Sequence, residues 1–180
     1  ETFAKKNKMD LTIMRPSVIT GPEVKDSAML ITLYMAMGLG NDNIMFMSGD
    51  GDNRFQLLAP RDAAEAFYLV YKAGDKTTGM VFNIGSDNVL TQMEQIVKIK
   101  EEKKLDFAIK HLTRVKALLY AIAFKPSKLN YFTREHRMYI FNNVFLDCQK
   151  LKEATGWKPR KTNMDIISDT VDWYKNKLDK

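Results

Sequence analysis

The sequence predicts a mixed α/β fold, because short apolar segments alternate along the chain with segments of helical periodicity. The apolar segments, such as 11–14 and 80–85, have the length of strands, and residues that start or stop helices separate them. The composition agrees, since the chain has 180 residues, 45% of them hydrophobic, and one cysteine. This suits the core of one ordinary domain and excludes both a disordered chain and a disulfide scaffold.

Proline, glycine and polar clusters divide residues 1–59 into short elements. Residues 1–10 indicate the end of a helix that has no cap, so we expect the chain to be cut from a longer polypeptide. Pro16 ends the first strand because proline cannot donate to a central ladder. In chain order, the predicted elements are a helix end (1–10), a strand (11–14), a turn (20–22), a helix (27–37), a strand (44–47), a tight loop (48–53) and an extended segment (55–59).

Residues 60–180 contain clearer boundaries, because most of the predicted helices have a recognisable cap or terminator. The predicted elements are a helix capped by Asp62 that ends near Tyr71, a strand (80–85), a helix from the Thr91–Glu94 capping box to about Lys100, an amphipathic helix (113–124), a helix (133–141), a short strand (144–146), a helix (149–154) capped by Asp147 and closed by Gly156, and a last helix (163–178).

The net charge of +6 lies in the second half of the chain, where residues 98–128 carry nine basic and three acidic side chains. Such a stretch suits nucleic acid, anionic lipid or a phosphorylated ligand. Charge runs are more often solvated faces, however, and no aromatic stacking pattern accompanies these lysines. No apolar run approaches the roughly 18 residues of a membrane span. We therefore expect no nucleic-acid partner, no membrane partner and, from the low cysteine content, a cytoplasmic location.

The sequence gives little support to metal binding or to nucleophilic catalysis. His111 and His136 are far apart, and neither stands at ligand spacing from Cys148. Cys148 heads a helix, which predicts a lowered thiol pKa, but no histidine stands as an obvious partner. The Gly-x-Gly pairs at 38/40 and 49/51 lack the third glycine of a dinucleotide fingerprint. We expect no metal site and no catalytic residue in this chain.

Four spaced motifs carry the main functional signal. They are RPSVITGP (15–22), GDGDNRF (49–55) followed by RDAAEA (61–66), VFNIGS (81–86), and D-x-x-K-L (147–151) followed by G-W-x-P (156–159). In this order and spacing they resemble the C-terminal half of the extended short-chain dehydrogenase/reductase family, the NAD-dependent epimerase/dehydratase group. The resemblance covers nearly all of residues 1–180.

The resemblance implies the C-terminal portion of a Rossmann-like NAD(P)-binding fold plus the small α/β substrate-binding lobe. Residues 1–180 would then be a fragment in which the last Rossmann elements interleave with that lobe. The glycine-rich loop for NAD or NADP, and the Tyr-x-x-x-Lys pair of the family, would lie upstream. We expect the fragment alone to have no turnover. Helix pairs form dimers in this family, so a homodimeric parent is one expectation.

The resemblance also assigns site residues. Pro16, Ser17 and Val18 match the turn that lines the nicotinamide end of the cofactor, and Arg54 and Arg137 match arginines that hold the diphosphate of a nucleotide sugar. A guanidinium binds phosphate through two parallel hydrogen bonds, which suits that role. The motif before Asp62 lacks the polar residue usual in the family. Two alternatives therefore stay open: a dihydroflavonol-reductase or hydroxysteroid-dehydrogenase-like reductase, and a non-enzymatic NAD(P)-sensing relative.

Overall fold

A computed structural model of the chain describes residues 1–24, 44–113, 115–116 and 142–178. The predicted helices at 27–37 and 133–141, and most of the one at 113–124, lie outside these residues. The helices are α1 (Thr2–Lys6), α2 (Pro60–Ala73), α3 (Gln92–Glu102), α4 (Gln149–Thr155) and α5 (Asn163–Leu178). The strands are β1 (Ile13–Pro16), β2 (Val18–Ile19), β3 (Ile44–Ser48), β4 (Leu57–Leu58), β5 (Val81–Ile84) and β6 (Ala108–Leu112), and a 3-10 turn (Gly74–Thr77) follows α2.

The strands pair in parallel throughout the described part of the chain. β1 lies beside β5, β2 beside β4 and β3 beside β6. Parallel neighbours cannot be joined by a tight hairpin, so each pair requires a long connection across the structure. The parallel strands and the intervening helices confirm the mixed α/β fold predicted from the sequence.

The sequence reading missed strand β6, which lies within the basic stretch 98–128. β6 pairs with β3 from Ile44 beside Ala108 to Ser48 beside Leu112. Exposed Lys110 and His111 interrupt its apolar pattern, so no strand-length apolar run marks it. Pairing with β3 therefore sets the conformation of this segment, and the hydrophobic pattern alone does not reveal it.

Trp157 belongs to the largest buried cluster, which joins α2, β5 and α4. Only 1% of Trp157 is exposed, and its indole Nε1 donates a hydrogen bond to the Asp62 carbonyl over 3.1 Å. The buried members of the cluster are Leu58, Ala63, Ala66, Val70, Phe82, Ile84, Cys148, Leu151 and Trp157. A second cluster places Leu57 and Ala59 against α5. The two clusters lie on either side of the segment 55–59, which is thereby fixed in the core.

Asp62 lies inside α2 and does not cap it, contrary to the sequence prediction. The helix begins at Pro60, with Ala59 in the cap position and no side-chain cap. The carboxylate of Asp62 is buried and accepts the backbone N–H groups of Arg160 and Lys161 at 3.2 and 3.1 Å. Proline starts a helix well because its φ angle is already helical and its missing N–H needs no partner there. Asp62 is thus free to hold the turn before α5.

The Thr91–Glu94 capping box and the Gly156 helix end are confirmed, whereas the cap position of α4 is Cys148, one residue after the predicted Asp147. The Thr91 hydroxyl accepts the Glu94 N–H, and the Glu94 carboxylate accepts the Thr91 N–H in return. Asp147 Oδ1 accepts the Gln149 N–H over 2.8 Å at the start of α4. Gly156 ends that helix in the left-handed region, with a φ of 72°. All three features are local in sequence, which explains why pattern recognition finds them.

Most of the described lysines of the basic stretch are exposed, whereas half-buried Lys100 donates from its Nζ to the Phe107 carbonyl over 2.6 Å. Lys104 and Lys110 are exposed. Lys103 Nζ lies 2.7 Å from an Asp172 carboxylate oxygen, and this hydrogen bond is the main cause that raises the pKa of Lys103. Among the helices described, none is long and apolar enough to cross a membrane.

Candidate functional site

A cavity of about 160 Å³ lies at the carboxyl end of β1. Three separate parts of the chain line it, and the lining residues are Arg15, Pro16, Ser17, Val18, Gln56, Val144 and Leu146. Ligands of parallel α/β sheets bind at the carboxyl ends of the strands. The three residues predicted to line a cofactor site, Pro16, Ser17 and Val18, therefore lie together on one wall of a cavity in the position where such folds bind ligands.

The hydroxyl of Ser17 has no hydrogen-bond partner in the described part of the chain, although its oxygen is buried. Its backbone N–H donates to the Ile84 carbonyl over 2.8 Å, so the main chain of the residue is held against β5. A buried polar group left without a partner costs about 1–3 kcal/mol. A ligand with a polar atom in the cavity would remove that cost.

Gln56 closes the floor of the cavity, and sequence reasoning did not find it. It is 5% exposed; its Nε2 donates to the Ser86 carbonyl over 2.7 Å, and its Oε1 accepts the Leu146 N–H over 2.9 Å. The amide lies directly against Gly85, where an added Cβ would be 2.2 Å from the Gln56 Cδ. A glutamine between Phe55 and Leu57 was the available signal, because a polar residue inside an apolar strand needs buried partners.

Arg54 is exposed and lies two residues before Gln56. Its backbone is hydrogen-bonded to Asn143 and Val144. Its carbonyl accepts the Val144 N–H over 2.7 Å, and its own N–H donates to the Asn143 side chain over 2.8 Å. Among the described residues, its guanidinium makes no hydrogen bond or salt bridge. Backbone contacts thus fix the position of Arg54 and leave its charge available to an anion.

The loop before Arg54 is fixed by the start of α3. The N–H groups of Gln92 and Met93 donate to the carbonyls of Asn53 and Gly51 over 2.9 and 3.0 Å. Gly51 has a φ of 76°, and an added Cβ would lie 2.1 Å from the Met47 sulfur, so only glycine fits there. Glu94 of α3 has a lowered pKa, caused mainly by hydrogen bonds from Thr91 and to a smaller degree by Arg54. Arg137, the second predicted phosphate ligand, lies outside the described residues.

The thiol of Cys148 contradicts the sequence prediction of a lowered pKa. Cys148 is 5% exposed, and burial raises its pKa. The helix N-terminus was expected to stabilise the thiolate, but loss of solvent acts in the opposite direction and is the larger effect. In the described part of the chain, no group of three or more histidine, cysteine, aspartate or glutamate side chains could hold a metal ion.

The spacing Tyr-x-x-x-Lys occurs once in the sequence, at Tyr68 and Lys72, and sequence reasoning passed over it. Both residues lie on the outward face of α2 and are exposed; Tyr68 retains 57% of its surface. Neither lines the cavity beside Ser17. A catalytic acid or base has to lie within hydrogen-bond reach of the reacting group, so this pair is not placed to act on a ligand bound in that cavity.

Residues 1–85 match the model of the NAD dependent epimerase/dehydratase family. Among curated proteins, dTDP-glucose 4,6-dehydratase 1 of Escherichia coli is 28% identical over 126 residues, which are 70% of this chain and 30% of that protein. These matches confirm the family resemblance predicted from the four motifs. The chain spans 30–41% of the length of the first curated relatives it matches.

Solved structures share the fold. UDP-glucuronic acid 4-epimerase from Bacillus cereus, in complex with UDP-glucuronic acid and NAD, superposes with a TM-score of 0.71 at 15% identity and covers 97% of this chain and 48% of its own. UDP-glucose 4-epimerase of Thermotoga maritima with UDP-glucose gives a TM-score of 0.66 at 22% identity over 98% and 50% of the two chains. The likeness confirms the predicted α/β class, and the chain spans about half of each structure.

Proposed function

We propose, taking the match of residues 1–85 to the NAD dependent epimerase/dehydratase family as the premise, that this chain supplies the substrate-binding part of an NAD(P)-dependent enzyme acting on a nucleotide sugar. The observation that carries the proposal is the cavity at the carboxyl end of β1. It combines apolar walls with the buried hydroxyl of Ser17, which has no partner among the residues described, and Arg54 lies on the segment that forms its floor. In this proposal residues 1–180 are the C-terminal fragment of a longer enzyme.

Pro16, Ser17 and Val18 would hold the nicotinamide end of NAD or NADP. The cavity fits this group, because a flat ring suits the apolar side chains of Val18, Val144 and Leu146, and a carboxamide suits the buried hydroxyl of Ser17. The bound cofactor would supply hydride transfer. The residues of this chain would orient the ring and exclude water from it. The glycine-rich loop that binds the cofactor phosphates belongs, in this proposal, to the polypeptide upstream.

Arg54 would hold the diphosphate of the substrate. Its guanidinium makes no ion pair with any residue the structure describes. The N–H and the carbonyl of Arg54 are both hydrogen-bonded, which holds the main chain that carries this side chain. The named relatives and structural neighbours act on, or are solved with, dTDP- and UDP-linked sugars, which supports a nucleotide sugar as the substrate class. Arg137 is proposed as a second phosphate ligand on the family resemblance alone.

Arg54→Ala should weaken the binding of dTDP and UDP about ten- to a hundredfold, because a hydrogen bond to a charged group contributes roughly 1.5–3 kcal/mol. Isothermal titration calorimetry measures the two dissociation constants. Arg61→Ala, which removes another exposed arginine outside the cavity, is the matched control and should bind as the wild type does. Equal affinities in the Arg54 variant and the wild type would refute the role of this residue.

The isolated 180 residues should not turn over a nucleotide sugar in the presence of NAD or NADP. The chain carries one Tyr-x-x-x-Lys spacing, and that pair is exposed on α2, away from the cavity. Chromatographic separation of UDP- and dTDP-glucose from their products measures turnover, because a reaction that returns the hydride to the sugar releases no net NADH or NADPH. Conversion of either sugar nucleotide would show that the chemistry resides in this chain and that the proposed division of labour is wrong.

The two other candidate functions predict different results in the same calorimetry. A reductase of steroid- or flavonol-like substrates would bind an apolar polycyclic ligand, and Arg54→Ala would leave that affinity unchanged. A sensor without chemistry would bind NAD(P) in the natural full-length polypeptide but would lack the upstream tyrosine and lysine. Binding of dTDP or UDP that depends on Arg54 favours the nucleotide-sugar enzyme over the reductase.

A further inference from the structure

Asn163, the first residue of α5, forms a two-sided contact with the backbone of the segment 54–57. It is fully buried; its Oδ1 accepts the Leu57 N–H over 2.9 Å, and its Nδ2 donates to the Phe55 carbonyl over 2.7 Å. A neighbouring strand would also offer one acceptor and one donor to two residues that are two positions apart, such as Phe55 and Leu57. The side chain of Asn163 therefore takes the place of a strand along one edge of this segment.

The opposite edge of the segment is held by Val144. The Val144 N–H donates to the Arg54 carbonyl over 2.7 Å, and the Val144 carbonyl accepts the Gln56 N–H over 3.0 Å. In an extended chain, successive residues direct their backbone groups to alternate edges. Residues 54 and 56 are thus paired on one side and residues 55 and 57 on the other. Loss of either partner would allow the segment to move.

Asn163 is itself held by two further buried side chains. The Ser86 hydroxyl donates to its Oδ1, and its Nδ2 lies 3.3 Å from the Gln95 Oε1. Ser86 and Gln95 are 1% and 2% exposed, and Gln95 Nε2 in turn donates to the Leu90 carbonyl over 2.7 Å. Every polar atom of the Asn163 amide therefore has a partner, and its orientation is fixed.

We infer that Asn163 is a positioning residue for the ligand site, and that it sets where Arg54 stands relative to the cavity beside Ser17. This inference rests on the proposed function. Arg54 and Gln56 are two residues apart, so their side chains leave the extended segment on the same side. Gln56 forms the floor of the cavity. A shift of the segment along its axis would displace the Arg54 guanidinium from the position at which it meets the substrate diphosphate, and so weaken that contact.

The test is a double-mutant cycle with dTDP as the probe, titrated into the 180-residue chain. Asn163→Ala should raise the dTDP dissociation constant about three- to tenfold when Arg54 is present. The effect is smaller than that of Arg54→Ala, because a displaced arginine loses only part of its contact with the diphosphate. Asn163→Ala should leave the constant unchanged in an Arg54→Ala background, because Asn163 acts only through that arginine. Thr170→Ala is the matched control, since Thr170 is equally buried on α5 and donates only to the Ile166 carbonyl.

The outcomes separate this inference from the proposed function. An Asn163→Ala variant that binds dTDP as tightly as the wild type, while Arg54→Ala binds weakly, overturns the inference alone. Equal weakening by Thr170→Ala also overturns it, because the effect would then reflect lost stability. If the wild type does not bind dTDP, both fail. Should Asn163→Ala not fold, Asn163→Ser replaces it, since the shorter side chain cannot span both backbone groups.

Discussion

Trp157→Ala is expected to lower the free energy of unfolding by about 3–5 kcal/mol, the range for truncation of a buried aromatic side chain. The indole is 1% exposed, packs within the cluster of α2, β5 and α4, and donates to the Asp62 carbonyl. The substitution leaves a cavity and an acceptor without its partner, and both effects destabilise. Urea denaturation followed by circular dichroism measures the change.

Tyr71→Ala provides the control for this prediction. Tyr71 is an aromatic residue on α2 that is 81% exposed, so its removal should change the free energy of unfolding by no more than about 0.5 kcal/mol. Trp157→Phe keeps much of the volume and removes the indole N–H. Its loss in the free energy of unfolding should lie between those of Trp157→Ala and Tyr71→Ala. A loss of less than 1 kcal/mol on Trp157→Ala would mean that the cluster is not the main core.

Gly85→Ala is expected to destabilise the chain by about 2–4 kcal/mol, the combined effect of overpacking and of unpaired buried groups. The new methyl group would stand 2.2 Å from the Gln56 Cδ and 2.3 Å from its Oε1. Displacement of that amide would leave the Ser86 carbonyl and the Leu146 N–H without their partner. The floor of the cavity, and with it the proposed site of the nicotinamide, would be lost at the same time.

A double-mutant cycle distinguishes this clash from a general intolerance of alanine at position 85. Gln56→Ala alone should cost about 1–3 kcal/mol, because it leaves two buried backbone groups unpaired. In that background Gly85→Ala should cost nothing further, since the side chain it strikes is absent. Additive losses in the double variant, measured by chemical denaturation, would show that Gly85 is required for a reason other than contact with Gln56.

The predictions that succeeded depend on residues close together in the sequence. The Thr91–Glu94 capping box and the Gly156 helix end involve residues three apart and a single φ angle, and Asp147 hydrogen-bonds the start of α4 from one residue before its cap. The family resemblance named Pro16, Ser17 and Val18 as cofactor residues; the three line one cavity, and their binding of a cofactor stays a prediction. The mixed α/β class followed from the alternation of strands and helices.

The parts that the sequence concealed depend on residues far apart. Asp62 looked like a cap for α2, but its partners are the N–H groups of residues 160 and 161. The position of Gln56 between apolar residues showed only that it needs buried partners, and Asn163 gave no such sign; the partners of both amides lie on other elements. β6 becomes a strand by pairing with β3. Long-range pairing of this kind leaves little trace in local patterns.

The hydrogen bond from Leu57 to Asn163 joins residues 106 apart in the chain, and the one from Trp157 to Asp62 joins residues 95 apart. Contacts of this separation require large loops to close before they can stabilise anything, so they slow folding. Two of the three parallel strand pairs also link distant segments, 13 with 81 and 44 with 108. During synthesis, the segment 54–57 therefore cannot be locked in place until residue 163 has left the ribosome. Until then, the apolar residues of β4 and α2 lack partners from α4 and α5, and such exposed apolar surface is prone to aggregation.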